Sequence, residues 1–142
     1  MPEFIYPTDA IIYEMSVRDM TSMKSTSIRH KGKFLGLTEP SCKSKNNNPI
    51  GLDYLRYLGI THVQLLPIFD FCTVCEEFPN ESYNWGYDPL FYNTPEGSYS
   101  SNPHDYLMRI VELKKMIEAL HKAGIRVIMD VVFNHVFNLE SS

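Results

Sequence analysis

The sequence predicts an α/β fold in which parallel strands are joined by helices, and three observations carry that prediction. Three short apolar runs of strand length, residues 10–17, 61–67 and 126–133, are rich in β-branched and aromatic residues. The stretches between them repeat apolar residues at helical spacing. The resulting order of strand, helix, strand, helix, strand brings parallel strands side by side through crossover connections. The runs are almost continuously apolar, as expected of strands covered on both faces.

The first run, Ala-Ile-Ile-Tyr-Glu-Met-Ser-Val, carries Glu14, which is either paired or solvent-facing. Asp19 belongs to the loop beyond it, and neither acid is assigned a catalytic role. Leu52, Leu55 and Leu58 share one face of the first helix, and Gly59 is placed to end it. The second helix has an apolar stripe of Leu107, Ile110, Leu113, Ile117 and Leu120. It starts at Asn102-Pro103 or at Asp105. His121 and Lys122 suit the negative end of its dipole, and Gly124 fits its terminus. Two connections, residues 19–50 and 68–105, are too long to be plain loops. Both follow the carboxyl ends of strands, the face on which parallel α/β folds bind ligands.

Composition narrows the functional classes. The chain has 142 residues, 44% of them hydrophobic and 21% charged, which suits one folded domain and argues against disorder. A net charge of −4 without a basic run gives no support to nucleic-acid binding. No segment approaches the roughly eighteen consecutive apolar residues of a membrane span. The amino terminus lacks the basic start and apolar run of a signal peptide. Cys42, Cys72 and Cys75 are odd in number and read as free thiols of a cytoplasmic protein. Cys72-Thr73-Val74-Cys75 has zinc-ribbon spacing without a second pair. A metal protein built from Cys72, Cys75, His104 and His135 has the spacing of no common site and ranks last.

Two clusters can carry chemistry. Asp130 lies in the third run among Ile128, Met129, Val131 and Val132. An ionised carboxylate there is costly unless it is paired, so it is either satisfied by backbone or Arg donors or is a site residue at a strand end. Asn134 and His135 follow and bring further polar groups to the same end. The second cluster, Tyr83-Asn84-Trp85-Gly86-Tyr87-Asp88-Pro89, offers flat apolar rings with polar rims, surfaces on which a pyranose can lie. The same rings can pack the loop onto the domain, and read in isolation that is the favoured role.

Together these segments resemble the α-amylase superfamily of glycoside hydrolases. Residues 130–135 are similar to its first signature region at the end of barrel strand three. Residues 59–67 and 12–19 are similar to its second and first strands. Residues 83–89, 95–99 and 102–105 resemble the type I pullulanases. The resemblance covers almost the whole chain, and its motifs fall in the family's order.

That resemblance implies a partial (β/α)8 TIM barrel, with about strands one to three, two helices and long loops. Residues 1–142 would be the amino-terminal portion of a catalytic barrel that needs about 250 residues when complete. The implied activity is retaining hydrolysis of α-1,6-glucosidic links in pullulan, amylopectin or glycogen. Such hydrolysis needs two neighbouring carboxyl groups. In this family they follow strands four and five, with a third acid after strand seven, so the chain itself is expected to be inactive. Tyr87 would stack on the sugar at the cleavage subsite, and His135 would hydrogen-bond it. Asp130 would belong to the polar network beneath, and Trp85 and Asp88 would shape the wall. Asn134 falls where many α-amylases hold calcium. No catalytic residue, metal or cofactor is assigned to the chain. The alternatives are a non-catalytic glucan-binding fragment, or a complementation fragment whose open strand edge pairs with the remainder of the barrel.

Overall fold

Strand β1 (Ile12–Met15) leads into a short helix α1 (Val17–Thr21). Helix α2 (Leu52–Tyr57) precedes strand β2 (His62–Leu65). Strands β3 (Phe69–Phe71) and β4 (Pro89–Pro95) follow, then helix α3 (Tyr106–Lys122) and strand β5 (Arg126–Met129). This is a computed structural model that describes residues 1–140. The sheet order is β1-β2-β5, with both pairs parallel, as the alternation of elements predicts.

Register sorts the side chains by face. Tyr13, Val63 and Val127 lie abreast, as do Met15, Leu65 and Met129. Most of this set packs against Leu52 and Leu55 of α2 and Met116 and Leu120 of α3, and Val63, Leu65, Leu55, Met116 and Leu120 are fully buried. The alternate residues point the other way, where Ile12 and Glu14 are exposed and Gln64 and Ile128 half-buried. Helices therefore cover one face among the described residues, which corrects the expectation of two covered faces.

The strands are also shorter than the apolar runs. At the first, Ser16 leaves the sheet to cap α1, its hydroxyl accepting from the Asp19 amide at 3.3 Å. At the third, the ladder continues as far as the Asp130 amide, which donates to Leu65 O at 3.1 Å. The next bond would need an N–H from residue 67, and Pro67 has none. The chain then leaves the sheet, so Asp130 is the first residue past β5 and half-buried, not a residue within the strand.

Helix ends fall where the sequence places them. Gly59 and Gly124 follow α2 and α3 with φ of 67° and 84°. The Asp105 carboxylate accepts from the Leu107 amide at 3.0 Å and settles the start of α3. The apolar stripe of α3 needs correction: Leu107 and Ile110 are exposed, whereas Glu112, Met116 and Leu120 are buried. Glu112 is tolerated because Ser101 donates to it through both its amide and its hydroxyl.

The β3–β4 antiparallel hairpin is not foreseen in the sequence; its first arm has three residues and its second begins and ends with proline. Arg109 of α3 holds it. The guanidinium lies 3.6 Å from Asp70 and 2.6 Å from Glu76, and donates to Pro95 O at 3.3 Å. Beside it the fully buried Glu96 accepts from the amides of Phe71 at 3.0 Å and Ser98 at 2.8 Å. Burial raises Glu96 to about 7 despite these bonds. Burial, then the nearby Glu76, raises Asp70 to about 6 against the pull of Arg109. Among the described residues, no helix is long and apolar enough to cross a membrane.

Replacing Arg109 with Ala leaves Asp70 and Glu76 facing each other without a cation. The expected loss is about 3 kcal/mol in urea unfolding, at the low end for a broken buried pair because Glu76 is 30% exposed. Since both raised carboxyls hold protons in the fold that the unfolded chain releases near pH 4, their contribution is full below about pH 4 and lost as pH rises through about 6 and 7. Urea midpoints measured across that range should fall, and Glu96→Gln should flatten the upper part of the decline.

Candidate functional site

The polar groups at the sheet's carboxyl end come from two separate parts of the chain. Asp130, Asn134 and His135 follow β5. Tyr87 reaches them from the loop that leads into β4. Its hydroxyl donates to the Asp130 carboxylate at 2.7 Å. His135 Nε2 pairs with the backbone carbonyl of Tyr87 at 2.8 Å, while Nδ1 pairs with the Asn134 carboxamide at 2.8 Å. Four of the six residues singled out in the sequence thus form one connected group across a separation of more than forty positions.

Electrostatics agree with this geometry. Burial, the hydrogen bond to Asp130 and the charges of Asp130 and Glu14 all disfavour the phenolate, so Tyr87 is raised to about 12. The phenol is therefore a neutral donor at any ordinary pH. Asp130 is satisfied by this phenol, rather than by the backbone or Arg donors that the sequence reading set beside a site role.

The other two residues differ in role. Trp85 does not pack the loop onto the domain: it is 61% exposed, which corrects the reading favoured for an isolated aromatic loop. It stands with Tyr87 on the wall of an open cavity of about 720 Å³, whose lining also includes Glu14, Asp19, Met20 and Met23. Asp88 works inside its own loop. Its carboxylate accepts from the Thr73 amide at 3.1 Å, the Thr73 hydroxyl at 2.8 Å and the Asn84 amide nitrogen at 2.6 Å. Asn84 closes the knot by accepting from the Gly86 amide at 2.7 Å.

Gly86 is a further requirement of the site. Its φ is 92°, and a Cβ there would sit 3.0 Å from Pro67. The loop thus lies flat against the end of β2 and presents Trp85 and Tyr87 on either side of the glycine. Sequence reading missed Asn84, Gly86 and Thr73 in this role. The signal for the first two was present as an Asn-x-Gly turn between aromatic residues, whereas Thr73 lies too far along the chain to be found that way.

The structure does not gather Cys72, Cys75, His104 and His135: among the described residues no three His, Cys, Asp or Glu side chains could share a metal ion. The Asn134 oxygen is engaged by His135. What the arrangement offers is a recognition surface of two aromatic rings, a phenol, an imidazole and a carboxylate. Replacing Asp130 with Ala should lower the Tyr87 phenol pKa measurably, since one of its two main causes is removed; tyrosine ring chemical shifts followed against pH will show it.

Comparison with known proteins places these features in context. The family described as "Alpha amylase, catalytic domain" matches residues 50–140. The pullulanase of Bacillus subtilis (strain 168) is 52% identical over 139 residues, which cover 98% of this chain and 19% of that protein. The chain thus spans about one fifth of this relative. The crystal structure of a pullulanase from Anoxybacillus sp. LM18-11 complexed with maltotriose superposes with a TM-score of 0.96 at 51% identity, over all of this chain and 20% of that one. The type I pullulanase from Bacillus subtilis str. 168 complexed with maltose gives 0.94 at 52% identity, over 99% and 20%. The three parallel strands and their helices are accordingly part of a (β/α)8 barrel, and the chain belongs to the family of α-amylase catalytic domains.

Proposed function

We propose that the chain supplies part of the substrate-binding wall of a pullulanase-type hydrolase acting on α-1,6-glucosidic links of pullulan, amylopectin or glycogen. The single observation that carries this reading is the joining of Tyr87, Asp130 and His135 at the carboxyl end of a parallel sheet, in a chain about half identical to pullulanases solved with malto-oligosaccharides. Residues 1–142 then represent an early portion of the catalytic barrel.

In this reading the Tyr87 ring stacks on a glucose face while its hydroxyl stays fixed to Asp130. The exposed His135 exchanges its bond to the Tyr87 carbonyl for one to a sugar hydroxyl. Trp85 supplies an outer apolar wall, Asp88 holds the loop in shape from within, and Asn134 sets the orientation of the imidazole. The nucleophile and general acid of retaining hydrolysis come from later barrel strands. The open edges support the partnership with such strands: Met129 on β5 is 46% exposed, and Ile12 on β1 is exposed too. A cytoplasmic site of action is part of the same reading and is supported by three cysteines that remain free.

The purified chain should bind maltotriose weakly and leave pullulan uncut, and Tyr87→Ala should abolish that binding. Calorimetric titration with maltotriose and a reducing-sugar assay on pullulan measure both. Cleavage of pullulan by this chain, or unchanged binding by the variant, would contradict the assignment.

A further inference from the structure

Trp85 is exposed yet not isolated, and the contacts behind it form a chain back to the end of β1. The Trp85 ring meets Tyr83 edge-on, with centroids 6.4 Å apart and planes at 88°. The Tyr83 hydroxyl donates to Asp19 Oδ2 at 2.7 Å. The Arg18 guanidinium lies 5.4 Å from the centre of the Tyr83 ring and donates to Ser82 O at 2.7 Å. Arg18 and Asp19 are neighbours in α1, just past β1, while Tyr83 lies in the loop after β3. Tyr83 is therefore gripped at its hydroxyl and over its ring face by adjacent residues more than sixty positions away.

We propose that Arg18, Asp19 and Tyr83 are positioning residues that hold the Trp85 ring in place as the outer wall of the glucan site. The inference rests on the binding role proposed above. It adds a specific job for three residues that have none in that account. Tyr83 is itself 51% exposed, so burial of apolar area does not hold it; its direct partners do. The hydrogen bond also disfavours the Tyr83 phenolate, in keeping with a hydroxyl committed as donor to Asp19. An aromatic ring fixed before the sugar arrives binds more tightly than one that binding must itself order.

Trp85 is the chain's single tryptophan, so its fluorescence reports on this arm alone. Tyr83→Phe keeps the ring and removes the hydroxyl. Asp19→Ala removes the acceptor, and Asp19→Asn keeps one. Trp85 anisotropy and acrylamide quenching would be measured without sugar, and maltotriose titrations by calorimetry, with circular dichroism checking that each variant is folded. Tyr83→Phe and Asp19→Ala should lower the anisotropy, raise the quenching and weaken maltotriose binding roughly two- to tenfold. Asp19→Asn should remain close to the parent. Unchanged Trp85 order in Tyr83→Phe and Asp19→Ala overturns the proposal, as does weaker binding without any change at Trp85. A parent chain that binds no maltotriose but whose Trp85 is loosened by Tyr83→Phe upholds the clamp and defeats the glucan reading instead.

Discussion

The hydrogen bond between Tyr87 and Asp130, with the His135 imidazole on the Tyr87 carbonyl beside it, unites the site by joining two segments that lie far apart in the sequence. One end is set by the sheet. Asp130 is delivered where Pro67 stops the ladder between β2 and β5, just past the last bond to Leu65. The other end is set by a long loop whose course depends on the Asn84–Thr73–Asp88 knot and on Gly86 lying against Pro67. The same proline thus limits the strand that presents Asp130 and forms the floor of the loop that presents Tyr87.

Below the site, the architecture depends on one packed face. Val63 and Leu65 in the central strand are sealed by α2 and α3, and the hairpin is held to α3 through Arg109. The opposite face and both outer strands remain partly open. Parallel sheets are ordinarily covered on both sides. The chain spans about one fifth of the pullulanases it is similar to.

Much of the fold was legible because periodicity reflects burial. The three strands and two principal helices follow apolar spacing, and Gly59, Gly124 and Asp105 mark helix ends for backbone reasons that any sequence displays. The β3–β4 hairpin was not legible, because three residues leave no period to detect and because Arg109, which holds it, lies in a separate helix. The stripe of α3 misled for a related reason: Glu112 occupies a buried position and Arg109 a half-buried one, which polar partners elsewhere make tolerable. At the site, residue types and motif order pointed to Tyr87, Asp130 and His135. Whether Trp85 faces the core or solvent depends on three-dimensional neighbours such as Tyr83 and Asp19, which spacing alone does not reveal.

The most direct test of the central claim is a residue-by-residue map of maltotriose contact, obtained from nitrogen–proton and aromatic NMR shifts of the chain during titration. The account predicts that the shifts concentrate on Trp85, Tyr87, Asp130 and His135, with the helix-covered face of the sheet unaffected. Shifts centred on another surface, or none at saturating sugar, would contradict it.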